Sequence, residues 1–349
     1  MQTVDLAPGH RISRVIKGGW QLAGGHGPVD RAEGIADMIA FADAGITTFD
    51  CADIYTGVEA MIGAFRAEYA RQRGADALAA IKVHTKFVPD LGALATITKA
   101  DVARAIDTSL TRLGMERLDL VQFHWWDYEV DRLVDVAGWL TELRAEGKIA
   151  NIGGTNFDST QLQRLIAAGV PIVSMQVQYS LLDDRPAHAM TAIAKAAGVQ
   201  LLCYGSVGGG LYSERWLGAA EPMGAMENRS LVKYKLIVDE FGGWDLFQDL
   251  LAVLDRIAKR LGSDIASVAS RAVLERPCVA AVIVGARNRS HLARNLALPD
   301  LALTQADFAE IGAVLARATP VPGDVYTLER DRNGRHGSVM KYNLNKEGH

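Results

Sequence analysis

Short apolar runs alternate with longer segments of helical periodicity along most of this chain. The runs are rich in Val, Ile, Leu and Phe, which is typical of buried strands. The segments between them place apolar residues three or four positions apart, which predicts amphipathic helices that pack one face against a sheet. The eight predicted strands cover residues 14–20, 47–50, 79–86, 118–124, 149–155, 172–178, 199–204 and 280–284.

Capping residues and glycines mark where the predicted helices begin and end. The first helix starts at about Asp30, Glu33 stands at its third position as in a capping box, and Gly45 ends it. The predicted helices cover about 30–45, 59–73, 98–114, 131–147, 158–169, 186–198 and 245–261, with one more after 263 and one after 304. Because nearly every strand is followed by a helix, this order predicts parallel βαβ units.

Eight such units predict a single (β/α)8 barrel, the TIM-barrel fold. We expect one domain over residues 1–349, with a core at about 12–317 and a C-terminal tail at 318–349. The competing fold, an open doubly wound sheet, would need a G-x-G-x-x-G turn directly after the first strand. Residues 24–28 are Gly-rich but lack that spacing, so we interpret them as a loop at the barrel mouth.

Two segments do not fit the simple repeat. The connection after the seventh strand, residues 205–280, is the longest and contains a polar stretch at 212–243. Such a long insertion is usually functional or flexible. The tail from about Pro320 carries no periodic apolar stripe, and it fits either a strap over one barrel face or a solvated end.

Composition narrows the class of protein. With 49% hydrophobic and 22% charged residues, the chain is typical of globular proteins. A formal net charge of −4 and the lack of a basic stripe argue against a nucleic-acid partner. No apolar run approaches the roughly 18 residues of a membrane helix, and no signal peptide is visible. Three cysteines without regular spacing predict free thiols and a cytoplasmic location.

Polar residues stand at the ends of successive predicted strands, where barrel enzymes build their active sites. Asp50, Lys86 and His124 end three successive strands, and Tyr55 lies one short loop beyond Asp50. A lysine inside a barrel mouth needs a carboxylate partner, and Asp50 is the natural one. We expect the Lys86 ammonium to lower the pKa of Tyr55, which would make the phenol a better proton donor to a carbonyl oxygen.

The same residues admit other interpretations. His124 fits a hydrogen-bond donor that orients a carbonyl, the proton donor itself, or a buried structural histidine. Lys86 fits the Schiff-base amine of a barrel lyase. His84, His124, Asp50 and Asp53 are the candidate metal ligands, but they show no H-x-H or H-E-x-x-H pairing, and a lysine among them would repel a cation. We therefore predict that no metal is bound.

The motifs together resemble the aldo-keto reductase superfamily over almost the whole chain. Asp50-Cys51-Ala52-Asp53-Ile54-Tyr55 looks like that family's D-x-A-x-x-Y segment, and Thr85-Lys86 and His124-Trp125 fall where its Lys and His belong. The resemblance implies a catalytic tetrad of Asp50, Tyr55, Lys86 and His124. It also implies NAD(P)H-dependent reduction of an aldehyde or ketone, with a regulatory, redox-sensing relative as the alternative.

The resemblance further implies which residues contact cofactor and substrate. Thr155, Asn156 and Gln178 would hydrogen-bond the carboxamide, and Tyr204 would stack on the nicotinamide. Arg287 would pair with the 2′-phosphate of NADP, which favours NADP(H) over NAD(H). The other implied cofactor contacts are Gly205, Ser206, Gly209, Gly210 and Leu211 near the pyrophosphate, and Gly285, Ala286, His291 and Asn295 near the adenosine. Trp20 and Trp125 would line the substrate side as apolar walls.

Overall fold

The computed structural model describes residues 1–24, 27, 29–224 and 226–346. An antiparallel hairpin, β1 (Thr3–Ala7) and β2 (His10–Ser13), precedes the barrel and was not predicted. Its Leu6 and Ile12 side chains pack with apolar residues inside the barrel, so the hairpin closes the end opposite the mouth. Its sequence signal is the Pro8-Gly9 turn between two short alternating segments.

Eight parallel strands close into a barrel in the order β10-β3-β4-β5-β6-β7-β8-β9, which confirms the predicted TIM-barrel fold. Each predicted strand has a counterpart, although several are shorter than expected. The barrel strands are β3 (Val15–Gly18), β4 (Thr48–Asp50), β5 (Lys82–Phe87), β6 (Leu118–Phe123), β7 (Ile149–Thr155), β8 (Ile172–Gln178), β9 (Gln200–Tyr204) and β10 (Val279–Gly285).

Helices surround the barrel, and their ends follow the predicted caps. The Asp30 side chain accepts a hydrogen bond from the Glu33 amide at 2.9 Å, and Thr98 and Asp101 form a reciprocal capping box. The helices flanking the strands are α1 (Arg31–Asp43), α2 (Val58–Arg73), α3 (Ala75–Ala79), α4 (Lys99–Leu113), α5 (Leu133–Ala145), α6 (Ser159–Ala167) and α7 (Ala189–Ala197). Gly25, His26 and Pro28 of the predicted mouth loop lie outside the described residues.

The long insertion after β9 contains a helix that the sequence pattern did not predict. The polar stretch at residues 212–243 includes α8 (Arg229–Phe241), which buries Leu231, Tyr234 and Val238. This helix packs with α9 (Gly243–Leu261), α10 (Ile265–Leu274) and α12 (Gln305–Leu315) in a hydrophobic cluster of its own. The short helix α11 (Leu292–Ala297) lies between α10 and α12 in the chain.

The C-terminal tail lies over the barrel mouth as a strap rather than extending into solvent. Its described part, up to residue 346, contains one short α-helix, α13 (Thr327–Arg330). The Leu91 backbone amide donates to the Tyr342 carbonyl at 2.8 Å, and the side-chain Nδ2 of Asn345 donates to the Val88 carbonyl at 2.9 Å. Leu91 and Val88 both follow β5 in the chain, so these two hydrogen bonds fix the strap beside the end of that strand.

No helix in the described part of the chain is both long and apolar enough to cross a membrane. The three cysteines carry free thiols; Cys51 and Cys203 are buried, and Cys278 is half-buried.

Candidate active site

A cavity of about 260 Å³ opens at the barrel mouth. Its wall combines strand ends, the insertion and the C-terminal strap. The lining includes Trp20, Asp50, Tyr55, Lys86, His124, Trp126, Thr155, Asn156, Gln176, Tyr204, Gly205, Gly209, Lys233, Tyr234, Gly285, Tyr326 and Met340. The structure therefore brings together the four residues of the expected tetrad, which come from different strands and the loop after β4.

Asp50 and Lys86 form a buried ion pair, as expected. The Lys86 Nζ atom donates to Asp50 Oδ2 at 2.6 Å and to the Cys51 carbonyl at 2.8 Å, and both side chains are almost fully buried. Burial by itself would lower the pKa of Lys86, but Asp50 and Tyr55 more than offset that effect and the pKa is raised. Lys86 is therefore an ammonium throughout the physiological pH range.

Two buried glutamines that sequence reasoning missed hold the Asp50 carboxylate. Gln122 on β6 and Gln176 on β8 donate to Asp50 Oδ1 at 2.9 and 2.6 Å, and the two amides bond each other at 2.9 Å. Both oxygens of Asp50 are thus satisfied, and Oδ2 is held toward Lys86. For Gln176 the available signal was a polar residue at every second position of β8, at 174, 176 and 178, which is the spacing of one strand face.

Tyr55 lies against the ammonium, but its acidity differs from the expectation. The Lys86 Nζ atom is 5.1 Å from the centre of the Tyr55 ring. Burial raises the pKa of Tyr55, and the attraction of Lys86 offsets only part of that rise. The expected lowering of the pKa is therefore wrong, because removing the phenolate from water outweighs one nearby cation. At neutral pH the phenol keeps its proton.

His124 is buried and neutral. Its Nδ1 atom lies 3.0 Å from the Thr155 carbonyl, and because a carbonyl only accepts, Nδ1 carries the proton. Burial and the Arg330 cation lower the pKa of His124 to about 3. The neutral ring then presents Nε2 as an acceptor, and this buried atom has no partner among the described residues. Donation from Nε2 to a carbonyl, one of our expectations, would require protonation of the ring.

Asn156 and Tyr204 are joined directly. Asn156 adopts a left-handed backbone conformation, with φ of 59°, at the end of β7. The Tyr204 hydroxyl donates to Asn156 Oδ1 at 2.7 Å, and Thr155 is buried beside them. Asparagine tolerates this conformation better than most residues, so it turns the chain while its amide stays at the cavity wall.

Two residues expected to contact cofactor or substrate do not line the cavity, whereas a neighbour of each does. Gln178 donates to Asp183 Oδ2 at 2.6 Å and does not line the cavity, whereas Gln176, two residues earlier on the same face of β8, does. Trp125 is fully buried in the core, with its ring N–H donating to the Val130 carbonyl at 3.0 Å. Trp126 lines the cavity and meets His124 edge-on at 4.3 Å between ring centres. Trp20 lines it as expected.

Several backbone amides of the glycine-rich loop after β9 form hydrogen bonds within that loop. The amides of Gly208, Gly210 and Leu211 donate to carbonyls of the same loop at 2.9, 2.9 and 3.1 Å. Contact of these amides with a pyrophosphate would therefore require the loop to rearrange. At Gly209, φ is 62° and a Cβ atom would lie 2.6 Å from the Tyr234 ring, so this glycine makes room for α8.

Most of the remaining residues expected to contact the cofactor lie outside the cavity lining. Ser206 is buried and shares a hydrogen bond with Ser270 at 3.0 Å, and Leu211 is in the core. Gly285 lines the cavity, but Ala286, Arg287, His291 and Asn295 are not part of its described lining. Arg287 is exposed on the loop after β10, where a Cβ atom at Gly27 would lie 3.3 Å from its Nη2 atom. The roles expected for this segment stay predictions.

Lys233 of α8 is a site residue that sequence reasoning missed because it missed the helix. Its ammonium lies 5.0, 5.5 and 5.6 Å from the ring centres of Tyr204, Tyr234 and Tyr326. The nearest carboxylate, Glu329 of the strap, is 3.9 Å away. Burial lowers the pKa of Lys233, and Glu329 acts in the opposite direction. A cation thus stands beside the ring expected to stack on the nicotinamide.

The candidate metal ligands are used elsewhere. Asp53 accepts the amides of Ile54 and Val88 at 2.9 and 3.0 Å, and His84 pairs with His10 at 2.9 Å between their Nε2 atoms. Across the described ranges, no group of three or more His, Cys, Asp or Glu side chains is placed to hold a metal ion.

Comparison with known proteins matches this chain to one family. The model of the aldo/keto reductase family matches residues 14–316. The chain is 26% identical over 330 residues to the aldo-keto reductase YhdN of Bacillus subtilis (strain 168), which covers 90% of this chain and 93% of that protein. It is 30% identical over 263 residues, 65% of the chain, to flagellar radial spoke protein 5 of Chlamydomonas reinhardtii; the match spans 49% of that protein, about half its length.

Solved structures agree on the fold. The glycerol dehydrogenase of Gluconobacter oxydans superposes with a TM-score of 0.73 at 22% identity, covering 90% of this chain and 94% of that one. The strap from residue 320 onward lies beyond the segment that the family model matches.

Proposed function

This chain belongs to the aldo/keto reductase family, and we propose that it reduces aldehydes or ketones to alcohols with NAD(P)H, with NADPH preferred over NADH. The observation that carries the proposal is the buried Asp50–Lys86 pair at 2.6 Å, with the Lys86 ammonium 5.1 Å from the Tyr55 ring in one cavity with His124. A phenol with a fixed ammonium beside it suits proton donation to a developing alkoxide.

Tyr55 is the proton donor. Its phenol is protonated at neutral pH because burial raises its pKa. When the proton leaves, Lys86 stabilises the phenolate, and Asp50 with its two glutamine partners holds Lys86 in place. The ammonium therefore acts on the charge that develops during the reaction rather than on the resting phenol.

His124 orients the reacting oxygen as an acceptor. Nδ1 donates to the Thr155 carbonyl, and Nε2, on the other side of the ring, keeps a lone pair without a partner among the described residues. An alcohol hydroxyl, unlike a carbonyl oxygen, has a proton to donate to this atom. We infer that His124 contacts the oxygen on the alcohol side of the reaction.

The nicotinamide end of a cofactor fits the wall formed by Thr155, Asn156, Gln176 and Tyr204. Two amide side chains offer carboxamide partners there, and the half-buried Tyr204 offers an aromatic face. A bound nicotinamide cofactor supplies the hydride that these side chains cannot. Arg287 supports the preference for NADPH, since a guanidinium suits a 2′-phosphate. The free thiols support a cytoplasmic location.

Two alternatives compete with a reductase. A Schiff-base lyase needs an unprotonated Lys86, whereas Asp50 and Tyr55 keep the pKa of Lys86 raised. A redox sensor would bind cofactor tightly and turn over slowly. It has no need of the buried proton-donor arrangement that this cavity contains.

The test is a panel of aldehydes and ketones assayed by nicotinamide absorbance with NADPH and, separately, NADH. Tyr55→Phe should lose nearly all turnover while cofactor binding is retained, and Tyr69→Phe, a tyrosine remote from the cavity, should behave as wild type. Near-normal turnover in Tyr55→Phe would overturn the assignment of the proton donor. Tight cofactor binding without turnover on any substrate would favour the sensor, and a protein adduct trapped by borohydride would favour the lyase.

A further inference from the structure

Arg330, at the end of α13 in the strap, joins two of the loops that carry site residues. Its Nη1 atom donates to the carbonyls of Trp125 and Trp126 at 2.5 and 2.7 Å, and its Nη2 atom donates to the Asn156 carbonyl at 2.7 Å. Trp125 directly follows His124 in the chain. One guanidinium therefore holds together the segments after β6 and β7, on which His124 and Asn156 stand.

The guanidinium is itself held in place from several sides. It lies 3.9 Å from the centre of the Tyr128 ring and 5.6 Å from that of Tyr326. The preceding residue, Glu329, is fully buried and accepts hydrogen bonds from Arg185 at 3.3 and 3.4 Å. Because two ring contacts hold the planar fork, its donors favour one placement of the three carbonyls.

The same cation acts on His124 electrostatically. Burial is the larger cause of the lowered pKa of His124, and Arg330 adds to it. The Thr155 carbonyl that fixes the tautomer of His124 belongs to the residue before Asn156. Geometry and charge therefore converge on one imidazole from a residue outside the segment matched by the family model, 14–316.

We propose that Arg330 is a positioning residue for the reductase reaction, fixing the backbone that carries His124 and Asn156 at the cavity wall. Its kinetic consequence rests on the proposed function, whereas its effect on the imidazole does not. A strap anchor with a purely structural role would change stability but leave kcat and the ionisation of His124 as they are.

The experiment compares Arg330→Met and Arg330→Lys with Arg332→Met as the matched control. Arg332 lies two residues away on the same strap, is exposed, and reaches Asp127 Oδ2 at 3.4 Å on the loop after β6. We expect Arg330→Met to lower kcat by on the order of 10- to 100-fold, because small displacements of reacting groups have effects of this size. Arg330→Lys should fall between Arg330→Met and wild type, and Arg332→Met should stay within about twofold of wild type.

A second readout is independent of turnover. NMR titration of the imidazoles, with the His124 signal assigned from its loss in His124→Gln, should give a higher pKa for His124 in Arg330→Met than in wild type or Arg332→Met. Methylguanidinium added to Arg330→Ala should restore part of the lost kcat, since it can refill the same site.

The outcomes decide separately on the two proposals. A folded Arg330→Met with wild-type kcat and an unchanged His124 titration overturns the positioning role. If Arg330→Met does not fold, Arg330→Lys decides, and wild-type kcat in that variant overturns the need for the fork. If wild type itself reduces no carbonyl compound, the proposed function fails, and the imidazole titration alone still supports or overturns the placement of His124 by Arg330.

Discussion

The wall of the cavity has two halves that are held by different forces. The strand-end half, Asp50, Tyr55, Lys86 and His124, stands on or just beyond parallel strands whose backbone ladders fix the positions of side chains. The outer half consists of Lys233 and Tyr326 in the cavity lining, with Glu329 and Arg330 next to them outside the lining. It stands on α8 and the strap and is held by ion pairs and ring contacts. Pairing between neighbouring strands fixes the first half. The second half depends on contacts between charged residues and partners that are far away in the chain.

This difference separates chemistry from positioning. The strand-end half contains Tyr55, the proposed proton donor, and the ammonium proposed to stabilise its anion. We propose that the outer half tunes that chemistry, because Arg330 lowers the pKa of His124 and Lys233 stands beside Tyr204. Changes in the first half should therefore abolish turnover, and changes in the second should alter rate, stability or pH dependence by smaller amounts.

The largest effect is expected from Lys86→Met in the strand-end half. Loss of the ammonium removes the stabilisation of the Tyr55 phenolate, and kcat should fall by on the order of 10²–10³-fold. Asp50 keeps its two glutamine donors but loses its buried counter-ion, which should lower the free energy of unfolding by about 3–5 kcal/mol. Steady-state kinetics and urea unfolding measure the two effects, and a kcat within tenfold of wild type would contradict the role of Lys86.

Glu329→Gln tests the outer half. Glu329 balances Arg185 and Lys233 in a buried cluster, so its neutralisation should lower the free energy of unfolding by roughly 3 kcal/mol. The matched control is Glu227→Gln, which breaks an exposed pair with Arg215 and should leave the free energy of unfolding close to that of wild type. Equal losses in the two variants would show that the outer half is not held by this cluster.

The pH dependence of Glu329→Gln has a defined sign. Burial alone would raise the pKa of Glu329, but Arg185 and Lys233 lower it below its ordinary value of 4.5. A carboxyl with a depressed pKa in the folded state stabilises the protein above its unfolded pKa, and this contribution is lost as the pH falls through the folded value. The stability gap between wild type and Glu329→Gln should therefore be full at neutral pH and shrink below about pH 4.5.

The two halves also differ in what a sequence can reveal. The common location of Asp50, Lys86 and His124 could be predicted because strand ends in a closed barrel meet at one mouth, so position along the chain implies position in space. The spatial positions of Arg330 and Lys233 could not be inferred in this way. Arg330 stands in a tail without periodicity and Lys233 on a helix inside a polar stretch, and neither segment is tied to the strand order of the barrel. Arg330, for example, is 174 residues away in the chain from Asn156, whose carbonyl accepts its hydrogen bond.

Within the strand-end half, the errors have physical causes as well. Gln178 was chosen where Gln176 lines the cavity, and Trp125 where Trp126 does, because depth along a strand and the turn after it depend on tertiary packing. The pKa of Tyr55 was expected to fall because a nearby cation can be inferred from sequence, while the degree of burial cannot.

Arg287→Met tests the cofactor preference at a residue that belongs to neither half. If Arg287 contacts the 2′-phosphate, the dissociation constant of NADPH should rise about tenfold, and that of NADH should stay unchanged. Arg289→Met is the control, because Arg289 is another exposed arginine of the same loop and pairs with Asp37 at 3.5 Å. Fluorescence titration measures both cofactors. Equal weakening of NADPH and NADH, or none, would remove the basis for preferring NADPH.

The smallest effect is expected from pH in the wild-type protein. With the pKa of His124 at about 3 and that of Tyr55 raised, both groups keep one protonation state between about pH 5 and 9. The pH profile of kcat should therefore vary by less than about twofold in this range. In Arg330→Met the pKa of His124 should rise but stay below its ordinary value, because burial is the larger cause of its lowering, so kcat should begin to fall at a higher pH on the acid side than in wild type. An acid limb near pH 6.5 in wild type would mean that the imidazole titrates freely, and that neither burial nor Arg330 keeps it neutral.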